Sequence, residues 1–250
     1  MEGLGLETLS LVFALLALGG AVKGVTGIGL PLIAVSGVAS VTDVQTGVTV
    51  IVIPIVATNL WQAVHAGWPG VPLRRFWPVL VPLIAGLWWS TGMVATSGGR
   101  TLNLILGTTV VVFSVVFAIS PRLRVPRRAE RWSGVLIGTI GGIMGGFTTV
   151  FGPPISMYLL ALDLKKEEFV QAVGILFFAG SAPMMVFYWF HGVLRPDNVG
   201  WSALACLPVF LGLAVGQWVR GRVDQDTFRK VLLALLFVVG LNLLRRAFLV

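Results

Sequence analysis

Long apolar runs separated by short polar segments fill the whole 250-residue chain. Runs of this length match helices that cross the hydrocarbon core of a bilayer. They predict spans near 46–64, 77–96, 101–120, 168–190, 199–219 and 227–248. Two further segments, 6–41 and 132–162, behave differently. As one helix the 36 residues of Leu6–Val41 would reach about 54 Å, against a core of about 30 Å. Two full spans would need about 40 residues and a turn. The middle of the segment is KGVTGIG, Lys23–Gly29, which a regular helix accommodates poorly. A helical hairpin that enters and returns, with its glycine-rich tip inside the membrane, is therefore expected. Segment 132–162 repeats the design, with Gly145–Pro154 as its tip.

The chain also resembles itself. Gly19-Gly20 followed by AVKGVTGIGLP is matched by Gly141-Gly142 followed by IMGGFTTVFGPP, with one extra residue. Val44, Gln45, His65, Pro82, Gly86 and Thr101 recur at an offset of 126 as Val170, Gln171, His191, Pro208, Gly212 and Thr227. This predicts a first repeat, 1–120, a basic cytoplasmic linker, 121–131, and a second repeat, 132–250. Three spans after each hairpin is an odd number, so the second repeat is expected inverted. The fold class expected is all-α integral membrane: two inverted-topology repeats, each a broken or re-entrant helical hairpin followed by three transmembrane helices.

Charge supports that topology. Under the hairpin reading, 13 basic residues fall on one side of the membrane and 4 on the other, with Lys23 in the tip; single crossings would give 10 against 7. The positive-inside rule puts the linker in the cytoplasm and both termini outside, in a cell inner membrane. Glu2 and Glu7, with no basic residue before the first apolar run, predict that this run is not a cleavable signal. The net charge of +8 sits in short segments without a groove-like stripe, so nucleic acid is not an expected partner. Cys206 is the single cysteine and reads as a packing residue.

The breaks carry the candidate chemistry. Irregular backbone at membrane depth is tolerated where it is buried in protein or lines a cavity, and two inverted breaks meeting near the midplane form a transporter site. The returning helices begin near Gly29-Leu30-Pro31 and Gly152-Pro153-Pro154, so their N-termini offer free N–H groups and the positive end of a dipole. Gly24, Gly27, Gly29, Gly146 and Gly152 allow close approach to backbone, and Thr26, Thr148 and Thr149 add hydroxyls. Lys23 would add a positive charge; the rival reading is that it snorkels to an interface. Gln45 and Gln171, at matching positions after the hairpins, are candidate substrate ligands or inter-helix hydrogen bonders. Asn59 joins the candidate set, although its counterpart is Met185.

Asp43, Asp163, Glu167, Glu168, Asp197, Asp224 and Asp226 sit at predicted ends or loops, which points away from a cation carrier. His65 and His191 lie at span ends and read as interfacial residues before proton couplers. Gly134, Gly138, Gly142 and Gly146 form a ridge for close helix packing. Pro54 and Pro183 are expected to kink the spans that follow the hairpins and to free carbonyls as further site ligands. Trp68, Trp77, Trp132 and Trp201 read as interfacial anchors.

GGAVKGVTGIGLPLIAV (19–35) and GGIMGGFTTVFGPPISMYLL (141–160), each followed by a glutamine-bearing span and then one holding Pro82 and Gly86 or Pro208 and Gly212, resemble the TauE/SafE sulfite exporter family over almost the whole chain. The resemblance implies an inner-membrane permease for sulfite, sulfoacetate or related sulfur oxyanions and organosulfonates. An alternating-access carrier of a small anion is thus the expected function. A passive anion channel stays open beside it. A membrane phosphatase acting on lipid pyrophosphate is disfavoured, because no mid-span carboxylate or tip arginine is available. No catalytic residue, metal or cofactor is called for. The expected partners are the anionic substrate, the lipid bilayer and, as one permitted assembly, a second copy in a homodimer.

Overall fold

The computed structural model describes residues 5–67, 73–119, 124–162, 164–220, 222 and 224–249. Glu2, Trp68, Arg122 and Asp163 lie outside them, as do the side chains of Asp226, Thr227 and Arg229. The regular elements among the described residues are all helices: α1 (Leu6–Thr26), α2 (Leu30–Val41), α3 (Val44–His65), α4 (Leu73–Val94), α5 (Gly99–Ile119), α6 (Glu130–Thr148), α7 (Gly152–Ala161), α8 (Lys166–Phe190), α9 (Pro196–Leu204), α10 (Cys206–Val219) and α11 (Gln225–Leu249). Six of these stretches are long and apolar enough to cross a membrane: α1, α3, α4, α5, α8 and α9–α10 taken together. The chain is a multi-pass membrane protein. Several hydroxyls in or at the ends of the helices are satisfied locally: Ser40, Thr42, Thr49 and Ser114 each donate to the carbonyl four residues back, at 2.7–2.8 Å.

Both interrupted segments fold into antiparallel hairpins. In the first, a Cβ on Gly19 would lie 3.0 Å from Ala34 Cβ and one on Gly37 would lie 2.9 Å from Leu15. In the second, Tyr158 Oη on α7 donates to Glu130 O on α6 at 3.1 Å. The breaks are shorter than the glycine-rich strings suggest, because α1 continues through Lys23–Thr26 and α6 through Gly145–Thr148. Single glycines weaken a helix by about 1 kcal/mol without ending it. What ends each helix is one residue in the left-handed region, Gly27 (φ 80°) and Thr149 (φ 61°).

The helices group into two compact units, and the division falls within α3 after Pro54. The first unit holds α1, α2, the start of α3, α5, α9, α10 and α11. Here α1 lies backbone to backbone on α10. A Cβ on Gly20 or Gly24 would stand 2.1 Å from Val209 O or 2.4 Å from Leu213 O, and one on Gly212 or Gly216 would stand 1.9 or 2.1 Å from Ala17 O or Ala21 O. Helix α5 packs on α11 through Gly107 and Gly240. Pro54 leaves the Val50 carbonyl without its helical donor; Ser202 Oγ donates to it at 3.1 Å and accepts the Ile53 N–H at 3.0 Å. That carbonyl is covered by a neighbouring helix, which corrects the expectation that it would serve as a site ligand. Arg246 Nη1 donates to Ala39 O at 2.6 Å, covering a carbonyl in the last turn of α2. The stretch 199–219 divides at Ala205 into α9 and α10 because Pro208 cannot bond to the Leu204 carbonyl.

The second unit holds the rest of α3, α4, α6, α7 and α8. Its α4–α6 contact uses the glycine ridge read from the sequence. Cβ atoms on Gly138, Gly142 and Gly146 would stand 2.2 Å from Val79 O, 2.4 Å from Leu83 O and 1.9 Å from Ser90 Oγ. Gly20 and Gly24 in the first unit are the counterparts of Gly142 and Gly146. In each unit, then, the outer arm of one sequence half's hairpin packs on the second post-hairpin span of the other half.

Candidate functional site

The first break runs from Thr26 to Gly29. Gly27 N–H closes α1 on Lys23 O at 2.7 Å. Thr26 Oγ1 lies 2.8 Å from Val22 O and 2.6 Å from Ile28 O, and accepts the Ile28 N–H at 3.2 Å. Gly29 sits at φ 96°, and α2 starts immediately after it with Pro31 in its first turn and no side-chain cap. The first hydrogen bond of α2 is Ile33 N–H to Gly29 O, so the N–H groups of Gly29, Leu30 and Leu32 make none to the described residues. These donors stand at the positive end of the α2 dipole. Lys23, one turn before the break, is 4% exposed, whereas Thr26 is exposed.

The second break shares the helix-ending bonds of the first but not its second left-handed residue: Phe151, before α7, sits at φ −100°. Thr148 Oγ1 donates to Met144 O at 2.7 Å and accepts the Val150 N–H at 3.1 Å. Thr149 N–H closes α6 on Gly145 O at 2.6 Å, and the Thr149 hydroxyl donates to Thr148 O at 2.6 Å. Thr149 holds the position of Gly27, and a left-handed conformation costs a β-branched residue about 1–2 kcal/mol. Both threonines are fully buried. Pro153 and Pro154 remove two N–H donors from the start of α7, so the second break presents fewer backbone donors than two non-proline residues would. Phe151 stacks edge-on against Phe177 of α8 at 6.0 Å, and a Cβ on Gly152 would stand 3.1 Å from the same ring.

The remaining expected residues take other places. Gly24 and Gly146 are consumed by the contacts of α1 with α10 and of α6 with α4. Asn59 is 2% exposed, and its amide donates to Phe177 O at 3.2 Å and Ser181 Oγ at 3.1 Å, tying α3 to α8 behind the phenylalanine that supports the second break. Gln45, in the first turn of α3, and Gln171, in the second turn of α8, are half-buried, and Gln171 Nε2 approaches the Gly67 turn. His191 Nδ1 meets Thr91 Oγ1 at 3.1 Å beside the Trp88 ring, and His65 stacks on Trp61 at 3.7 Å. Sequence reasoning missed Tyr188, whose buried hydroxyl donates to Gly146 O at 2.6 Å. A tyrosine near the end of an apolar span was the available signal, since a buried phenol needs an acceptor.

The chain is 25% identical over 237 residues to a Cupriavidus necator protein named probable sulfite/organosulfonate exporter TauE, an alignment covering 92% of this chain and 91% of the relative. No solved structure matches it. The model of the family described as Sulfite exporter TauE/SafE matches residues 12–243, a stretch that includes both breaks and most of every helix packed around them. By that match the chain belongs to the TauE/SafE sulfite exporter family.

Proposed function

We propose that this protein exports sulfite or a related organosulfonate across a bacterial inner membrane, binding the anion with donors from both breaks and moving it by alternating access. The observation that carries the reading is the threonine-centred break built twice with the same hydrogen bonds, in a member of an exporter family. The threonines shape each break, and the first turn of α2 supplies N–H donors to an anion. Sulfite is a compact pyramidal oxyanion with three acceptor oxygens, which suits clustered N–H and hydroxyl donors. Lys23 supplies charge; burying a lysine within a span costs about 2.5–3.5 kcal/mol on insertion scales, a cost that bound anion offsets. The topology proposed with this mechanism is two inverted repeats with a cytoplasmic linker and external termini, the arrangement favoured by the distribution of basic residues.

The test is sulfite counterflow in proteoliposomes of the full chain, with sulfoacetate, sulfate, phosphate and chloride as competitors. Saturable exchange blocked by sulfoacetate and not by phosphate is expected. Lys23→Ala and Thr26→Val are each expected to raise the half-saturation concentration about tenfold, the first by loss of a charge-assisted contact and the second by loss of the hydroxyl that shapes the first break. Linear, non-exchanging flux would replace the carrier with a channel, and movement of none of these anions would remove sulfite as cargo.

A further inference from the structure

At the polar end of the second unit a cavity of about 420 Å³ is lined by Arg74, Arg75, Arg127, Arg131, Glu130 and Trp77. Sequence reasoning used these arginines only to orient the chain. Arg75 neutralises the single carboxylate, with Nε 2.8 Å from Glu130 Oε1 and Nη2 3.3 Å from Oε2. Arg74, Arg127 and Arg131 have no such partner among the described residues. Arg74 and Arg75 lie in the first turn of α4, and Arg127 and Arg131 flank the start of α6. Cations at helix N-termini oppose the macrodipole, and an anion entering the cluster would offset that opposition. The cavity opens where α4 begins its apolar span; Trp77, which lines it, and Trp132, next to Arg131 along α6, are both exposed. Apolar side chains continue away from the cavity along one face of each helix: Val81 follows Trp77 on α4, and Leu136 and Ile140 follow Trp132 on α6, all exposed.

We infer that this cavity binds the phosphate headgroup of an anionic phospholipid, whose acyl chains lie along the exposed faces of α4 and α6. Arginine forks match phosphate oxygens, and a basic pocket at the end of spanning helices is at headgroup depth. A free phosphate would use the same arginines but not the apolar faces, so lipid is the occupant the surroundings favour.

The test is lipid retention by the full-length protein, purified from mixed phosphatidylglycerol and phosphatidylcholine and read by native mass spectrometry. Wild type is expected to keep phosphatidylglycerol in preference to phosphatidylcholine. Arg74→Gln/Arg131→Gln is expected to lose it by about tenfold or more, while Arg100→Gln keeps it. If the double variant elutes aggregated, the single variant Arg127→Gln serves, with a loss of about threefold expected. Equal retention in wild type and variant, or no preference for the anionic lipid, overturns the site. Displacement of the lipid by millimolar inorganic phosphate also overturns it, in favour of a soluble-ion site.

Discussion

At the end of α6 the Val150 N–H turns to the Thr148 hydroxyl, so the Gly146 carbonyl loses its helical donor and takes the buried Tyr188 hydroxyl at 2.6 Å instead. Tyr188→Phe leaves that carbonyl unsatisfied in an apolar interior. It is expected to lower stability by about 1–3 kcal/mol, measured as a drop in thermal midpoint of the detergent-solubilised protein; an unchanged midpoint would mean that another donor takes over. In the first break Gly27 and Gly29 both take left-handed conformations that favour glycine. At φ 80° and 96°, an added Cβ costs about 1–2 kcal/mol. Gly27→Ala is therefore expected to destabilise the chain even where the break has room, and substrate protection of the melt should shrink with it. Thr149 accepts the same conformation in the second break, where Thr148, like Thr26, bonds the carbonyl four residues back.

Among the elements, the tightest relationships are glycine ridges against backbone. A Cβ on Gly138 would stand 2.2 Å from Val79 O and one on Gly212 would stand 1.9 Å from Ala17 O, and a carbonyl oxygen cannot rotate away as a side chain end can. Gly138→Ala and Gly212→Ala must push α6 from α4 and α10 from α1, at a cost of about 1–3 kcal/mol each. Gly200, also helical, has open space where its Cβ would be, so Gly200→Ala is expected to be neutral or to stabilise by up to about 1 kcal/mol. The three melting curves together separate packing from helix propensity. If all three variants behave alike, the ridges do not hold these helices together.

For the molecule as a whole, each compact unit draws helices from both sequence halves: α1 and α2 with α10 and α11 in one, α4 with α6, α7 and α8 in the other. Residues 1–120 or 132–250 alone would therefore leave glycine faces without their partner helices. Each half expressed separately is expected to aggregate on size-exclusion chromatography, and the two co-expressed are expected to co-elute as one species. A monodisperse, cooperatively melting single half would contradict this exchange of helices.

Much of the architecture is legible along the chain because it follows from neighbours. Apolar run length against bilayer thickness gives the spans, and proline with glycine marks where Leu6–Val41 and Trp132–Leu162 break. The small-residue spacing of Gly134, Gly138, Gly142 and Gly146 announces a close contact as well. Tertiary structure alone decides which helix meets that ridge. It also makes Asn59 a brace to Ser181, 122 residues away, and brings Ser202 to cover the Val50 carbonyl from 152 residues away. The same folding gathers arginines from the start of α4 and the approach to α6 around one cavity. Periodicity and propensity act over a few residues, so they identify a polar group that needs a partner; only the packing of distant helices selects the partner.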